Sequence, residues 1–313
     1  MVDRPSETDG SIDPACPEPH NEGGQAERLP PTNQVALSYL APPEDLSAFF
    51  GPLYLFIADK AVVSDHTRAD FAQVRFMLAG EGDYVFHDGR HVATPRCCML
   101  GPTTAATRFQ VAGPMRVVGV SVLPLGWCAL RAGDASLVAD NLFDLAGRFG
   151  TEWDALHAEL CGMTDAERIA ERIWPFLRER IRHPVADDIA FVAAVDHWLA
   201  DERSPRVEVL QERTGLSSRQ IARLCNRHYG SPPKYLARKY RALRCALSLA
   251  RDNVEWQELC DGAFYDQSHF IREFKHFIGL TPSQLRDDAS LVIRLTMNRR
   301  DVEGNIADLS RIS

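Results

Sequence analysis

The sequence predicts an α+β chain of two folded parts, a β-rich domain over residues 34–150 and an all-α domain over 202–288, joined by a helical connector over 151–201. Three observations predict it. Between 34 and 124 the apolar residues fall in short β-branched and aromatic runs cut by Gly-Pro and Asp-Gly. After 151 they recur at helical spacing behind capping residues. In the last third one helical pattern occurs twice.

Residues 1–33 are rich in Pro, Glu, Asp and Gly and lack aliphatic clusters. Such a segment buries too little to offset the entropy of ordering, and it reads as a disordered tail. The runs 53–57, 71–78, 84–86, 98–100, 108–111 and 117–122 read as strands, with Asp88-Gly89 as a tight hairpin turn. Short strands at this spacing predict a small antiparallel barrel or sandwich. Tyr54, Phe56, Phe76, Tyr84, Phe86 and Trp127 form a stripe that is either plain core or the lining of a pocket for a small apolar or aromatic effector. A barrel that holds catalytic iron or manganese needs three or four converging N/O ligands, commonly with a His-x-His pair. His66, His87 and His91 contain no such pair, and His87 and His91 flank the turn, so no metal, cofactor or catalytic residue is expected here. Cys16, Cys97, Cys98, Cys128, Cys161, Cys225, Cys245 and Cys260 show no CxxC spacing and read as reduced core residues rather than zinc ligands. No run approaches 18 apolar residues and no leader is apparent, which predicts a cytoplasmic protein without a membrane partner.

In the connector, Trp153, Leu156 and Leu160 make one apolar stripe. Thr164-Asp165-Ala166-Glu167 has the form of a capping box ahead of Ile169, Ile173 and Leu177, and a third helix carries Ile189, Val192, Val195 and Leu199. These helices can pack on the β-rich domain or on a second copy of themselves. Residues 289–313 show no helix bounded by caps and read as a tail.

The repeated pattern carries the chemistry. In the first copy Gly215-Leu216-Ser217-Ser218 leads into a helix that buries Ile221, Leu224 and Cys225 and ends at Gly230 before Pro232-Pro233. Its outer face holds Arg219, Gln220, Arg223, Asn226 and Arg227. In the second, Asp266 is a good N-cap for a helix burying Phe270, Phe274, Phe277 and Ile278. Gln267, Ser268, His269, Arg272, Lys275 and His276 lie outside. Arg223 and Arg272, Gly230 and Gly279, and Pro233 and Pro282 each stand 49 positions apart, the signature of a duplicated helix-turn-helix unit. Residues 233–250 between them form a long helix rich in Ala, Leu and Arg, a stiff spacer. Two units on one stiff helix can place their second helices in successive major grooves, about 34 Å apart.

The charge is uneven. The chain carries −8 overall, but residues 203–251 hold twelve Arg or Lys against Glu208 and Glu212, a net of +10. Residues 252–288 hold eight acids against Arg272, Lys275 and Arg286, a net of −5. The first unit and the spacer therefore supply the phosphate attraction.

With these residues in place, the segment from about 203 to 288 resembles the DNA-binding domain of the AraC/XylS family of bacterial transcription regulators. The stretch from Phe264 to Pro282 follows the family's second motif, with Ala263 behind Gly262 at the turn and Gln211 and Leu259 where a small residue is usual. The resemblance implies base readout by Arg219, Gln220, Arg223, Gln267, Ser268, His269 and Arg272, and phosphate contacts by Arg227, Lys234, Arg238, Lys239, Arg241, Arg244 and Lys275. It also implies double-stranded DNA as partner, allows RNA polymerase, a small effector and a homodimer as others, and places a cupin-like sensor at the N-terminus, to which Gly101-Pro102-Thr103-Thr104 and Leu123-Pro124 are loosely similar. Two alternatives stand beside it: a cupin-type metal-dependent oxygenase or isomerase fused to a DNA-binding module, separable by metal analysis, and a ligand-free interaction module, separable by a footprint.

Overall fold

The computed structural model describes residues 35–201, 205–251, 264, 266–289, 291–304 and 306–312. The expected N-terminal tail lies outside the described residues.

Eight strands form one antiparallel sheet: β1 Val35–Leu40, β2 Phe50–Ala58, β3 Val62–Thr67, β4 Ala72–Val85, β5 His91–Ala93, β6 Cys97–Leu100, β7 Thr107–Val122 and β8 Leu142–Asp144. The ladder runs β1-β2-β7-β4-β6-β8, with β3 on β7 and β5 on β4. β4 and β7 pair from Ala72 opposite Val122 to Val85 opposite Arg108, with register shifts on either side of Ala79. One half of β7 pairs with β2 and the other with β3, so the sheet bends between its halves. The runs 71–78 and 84–86 are thus one strand, as are 108–111 and 117–122. The glycines and proline between them sit at the shift and the bend, not at chain reversals. β1, β3, β5 and β8 fell outside the expected strands, β5 and β8 because three residues are too few for a period of two to show.

Alternate residues of β4 enter different cores, as the strand period of two requires. Val74, Phe76 and Leu78 join Val118, Val120, Trp153 and Trp174 on one face. Met77 and Tyr84 join Phe56, Phe109 and Val117 on the other.

Twelve helices complete the described residues: α1 Pro124–Ala129, α2 Leu145–Phe149, α3 Glu152–Cys161, α4 Ala166–Arg180, α5 Ala186–Asp201, α6 Val207–Thr214, α7 Ser218–Tyr229, α8 Pro233–Arg251, α9 Gln267–Ile278, α10 Pro282–Asp288, α11 Leu291–Met297 and α12 Asp308–Ile312. No helix among them is long and apolar enough to cross a membrane. α3 and α4 cover the sheet, with the Trp153 ring stacked 6.2 Å from Phe76. Asp165, one residue later than the expected Thr164, caps α4 by accepting from the Arg168 amide. α5 behaves differently. Its Phe191, Val195, Trp198 and Leu199 share a core with Leu210, Ile221, Tyr240 and Phe270, so this part of the connector is built into the helical domain.

A half-buried acid lies at that junction. The Tyr229 hydroxyl stands 2.6 Å from Asp196 Oδ1, and burial pushes the Asp196 carboxyl from 3.8 to about 7, against the pull of that bond. Between those values the folded chain keeps a proton that the unfolded chain loses. This group's contribution to stability therefore falls as pH rises through the window, at up to about 1.4 kcal/mol per pH unit. Urea unfolding of Asp196→Asn across the same range is expected to show a flatter dependence than the parent.

The described residues between 291 and 312, expected as a tail, are folded against the rest of the chain. Val292, Ile293, Met297 and Leu309 are buried, and the Arg299 guanidinium reaches into the sheet, 2.9 and 3.0 Å from the two Asp70 carboxylate oxygens. Helices of five to seven residues are too short for a periodic pattern to be legible.

Candidate nucleic-acid interface

The first unit is fully described. α6 ends at Gly215 in the left-handed conformation, and Ser217 with Gln220 forms a reciprocal capping box that starts α7. α7 closes at Gly230, again left-handed, and α8 runs 19 residues, about 28 Å. In the second unit Asp266 accepts from the His269 amide at 2.7 Å to start α9, which closes at left-handed Gly279. Thr281 caps α10 at Pro282, the counterpart of Pro233 at the start of α8. The segment 252–263, with Asp252, Glu255, Glu258, Leu259, Cys260, Gly262 and Ala263, lies outside the described residues.

Arg219, Gln220, Arg223 and Arg227 are exposed on α7, and Gln267, Ser268, Arg272 and Lys275 on α9. Two of the expected base readers are partly committed elsewhere. Gln220 Oε1 accepts from the Ser217 amide at 3.0 Å, leaving its amide nitrogen for outside contacts. His269 is half-buried, edge-on to Phe264 at 6.1 Å.

The cations of α8 do not share one surface. Lys234 is exposed. Lys239, expected at phosphate, is instead 4 % exposed, and its ammonium donates to the carbonyls of Asp70 at 2.8 Å and Thr103 at 3.0 Å. Burial pushes its pKa down to about 8, against the pull of the Asp70 and Asp140 carboxylates. Arg238 pairs with Glu273, with Nε 2.8 Å from Oε2, and Arg244 donates to the Leu199 carbonyl. The Arg241 guanidinium sits 4.6 Å over the Phe264 ring. α8 is packed on several sides, so helical spacing alone could not separate cations facing water from those facing protein.

Both units are seated on the loop joining β6 to β7. A Cβ at Gly230 would meet Pro102 Cγ at 2.6 Å and one at Gly279 would meet Ala106 at 3.1 Å, so the left-handed helix ends also give the close approach. Ala106 and Ala69 amides donate to the His276 and Phe277 carbonyls, each at 2.8 Å, and the Tyr235 hydroxyl donates to the Thr104 carbonyl at 2.8 Å. The Gly101–Thr104 stretch is thus a joint between sheet and readers.

The sheet encloses a cavity of about 70 Å³ beside α11. Tyr54, Phe56 and Tyr84 are among its lining residues. Phe76 is not, because it packs against Trp153 on the opposite face, and the register shifts near Ala79 put Tyr84, eight positions on, on the cavity side. Phe86 stacks behind Tyr84, and Trp127 is buried with its indole nitrogen 2.8 Å from the Gly133 carbonyl. The polar lining was not anticipated: Arg68, Arg75 and Arg299 surround Asp70 and Gln73. Arg75 donates through Nε and Nη2 to Gln73 Oε1 at 2.9 and 2.8 Å. His87 and His91 are exposed beside Asp140 and Asp83, and do not converge with His66 into a metal cluster among the described residues.

Two capped helices with polar, cationic outer faces on a common spacer define a DNA-binding domain of the double helix-turn-helix class. Residues 210–288 match a helix-turn-helix domain family, and this part of the chain is an AraC-type helix-turn-helix domain. No curated protein matches the chain. Among solved structures, the chain is similar to ToxT from Vibrio cholerae O395, with 9 % identity over 82 % of this chain and 99 % of that one at a TM-score of 0.41. Unsaturated fatty acid bound wild-type ToxT from Vibrio cholerae strain SCE256 gives 11 % identity, 74 % and 94 % coverage and a TM-score of 0.42. The AraC-like transcriptional activator CuxR gives 13 %, 65 %, 84 % and 0.29.

Proposed function

We propose that the chain is a sequence-specific, double-stranded-DNA-binding transcription regulator whose α7 and α9 enter successive major grooves, while the β domain senses a small effector. The observation that carries this reading is the pair of capped helices, matched at Gly230 and Gly279, whose Arg219, Arg223, Gln267 and Arg272 lie on the exposed face while the opposite face of each helix is packed. Arg matches guanine and Gln matches adenine in the major groove. Selection of bound sequences from random duplexes tests it: a defined consensus is expected, and binding without any consensus would overturn it. The AraC-type character of the domain supports two further parts of the reading, self-association and contact with RNA polymerase, and the reading assigns the chain no catalytic step.

Phosphate attraction is assigned to Arg227, Lys234 and Lys275. Replacing Lys234 and Arg227 by alanine is expected to lower the salt slope by about two units of log K per log salt. Lys239→Ala is expected to leave the slope unchanged and to lower stability instead, and titrations at several salt concentrations check both.

The cavity supports a different ligand from the apolar or aromatic one that the sequence left open beside plain core. Three guanidinium groups line it and one carboxylate answers them, so a small acidic effector fits its electrostatics. At about 70 Å³ it admits only a small group without opening, since benzene occupies a cavity of about 150 Å³. Because Arg299 and Lys239 join the cavity wall to the helical domain, an acid bound there would bias the seating of the readers.

A further inference from the structure

We propose that Cys128, Asp188 and His228 form a transition-metal site of the zinc class that ties the first reading helix to the β domain. The three residues come from α1, α5 and the last turn of α7, and the chain separates them by at least 40 positions. The fold nevertheless brings one ligand atom of each within 4.8 Å of the others. Cys128 Sγ lies 3.0 Å from His228 Nδ1, and His228 Nε2 lies 3.2 Å from Asp188 Oδ1.

Thiol, imidazole and carboxylate are a donor set that a zinc-class metal takes, through one nitrogen of the ring. His228 is 3 % exposed, and its two ring nitrogens face the Cys128 thiol and the Asp188 carboxylate, two further metal-binding groups. Thiolate, imidazole and carboxylate bind zinc at about 2.0–2.3 Å, which places tetrahedral donor atoms about 3.3–3.8 Å apart, so shifts of roughly 1 Å or less complete the set. Borderline-soft N/S/O donors favour Zn²⁺ over Mg²⁺ or Ca²⁺. The fourth position opens on a cleft of about 430 Å³ lined by Arg131, Gly133, Asp134 and Arg227, where a water completes the shell. Asp134 is already engaged, accepting from the Ser136 amide at 2.9 Å. Of the cations facing the site, Arg227 Nη2 stands 3.9 Å from Asp188 Oδ2 and is half-exposed, so a metal on Asp188 would turn it outward. That last consequence, a freed cation on the reading face, rests on the DNA-binding reading; the metal site itself does not.

The test is a titration of the full-length protein with Co²⁺ as a spectroscopic probe and Zn²⁺ as competitor. The expected result is a thiolate-to-cobalt charge-transfer band that saturates at one Co²⁺ per chain and is displaced by Zn²⁺. Cys128→Ser, a near-isosteric change, is expected to remove the band, and Asp188→Asn to weaken Zn²⁺ at least tenfold, with circular dichroism unchanged. No thiolate band in the parent protein, or a band that survives Cys128→Ser, would overturn the site, the latter assigning it to another cysteine. Should Cys128→Ser not fold, X-ray absorption of the Zn²⁺-loaded parent decides: one sulfur among nitrogen and oxygen donors supports the site, and an all-oxygen/nitrogen shell overturns it. None of these readouts involves DNA, so failure of the metal site and failure of the DNA-binding reading are seen separately.

Discussion

Replacing Arg299 by alanine is expected to destabilise the fold by about 3–5 kcal/mol, because it breaks a buried ion pair and removes a hydrogen bond from each Asp70 oxygen. Arg299 reaches from the segment after α11 into the sheet, contacting both Asp70 oxygens and, at 3.2 Å, Ser121 Oγ. Its guanidinium is 5 % exposed and the Asp70 side chain 14 %. Asp70 also organises its own strand, since one oxygen accepts from the Phe71 amide at 2.7 Å and the other from Gln73 Nε2 at 3.1 Å. The loss therefore spreads from the ion pair into the start of β4 and the cavity wall. Urea unfolding measures it, and the double change with Asp70→Asn is expected to cost less than the two single changes together. A loss below about 0.5 kcal/mol would mean that 291–312 behaves as the tail its sequence resembles.

The second large effect is on DNA. Arg223→Ala and Arg272→Ala are each expected to cost about 1–3 kcal/mol on the preferred duplex, and to flatten discrimination at the base each side chain faces. The two sit on different helices, so their costs are expected to add. Circular dichroism and melting of both variants are expected to match the parent, since neither side chain is buried. Equal losses on preferred and random duplexes would move that arginine to the phosphates.

The helical domain was legible in sequence to the extent that its signals are local. Ser217, Asp266, Gly230, Gly279, Pro233 and Pro282 act within one turn of their own position, and the structure places each at the cap or helix start that its chemistry predicts. What was not legible depends on which neighbour a residue meets. Lys239 has the same helical setting as Lys234, and only the docking of α8 on the loop before β7 turns one to protein and the other to water. Phe76 and Tyr84 look alike in an aromatic stripe, but the register shifts near Ala79 and the bend of the sheet decide which face each takes. Arg75, within a strand run, and Arg299, in the expected tail, carry no local signal of the burial around Asp70 that the fold gives them. The grouping of Cys128, Asp188 and His228 has no local signal at all, since no two of them share an element.

The central claim is that α7 and α9 each read bases from one duplex. A base-contact map of the preferred site, made with the parent, Arg223→Ala and Arg272→Ala proteins at one salt concentration, tests it most directly. Two clusters of protected major-groove positions about 10–10.5 base pairs apart are expected, one weakened selectively by Arg223→Ala and the other by Arg272→Ala. A single cluster, or two clusters that both substitutions weaken alike, would contradict it.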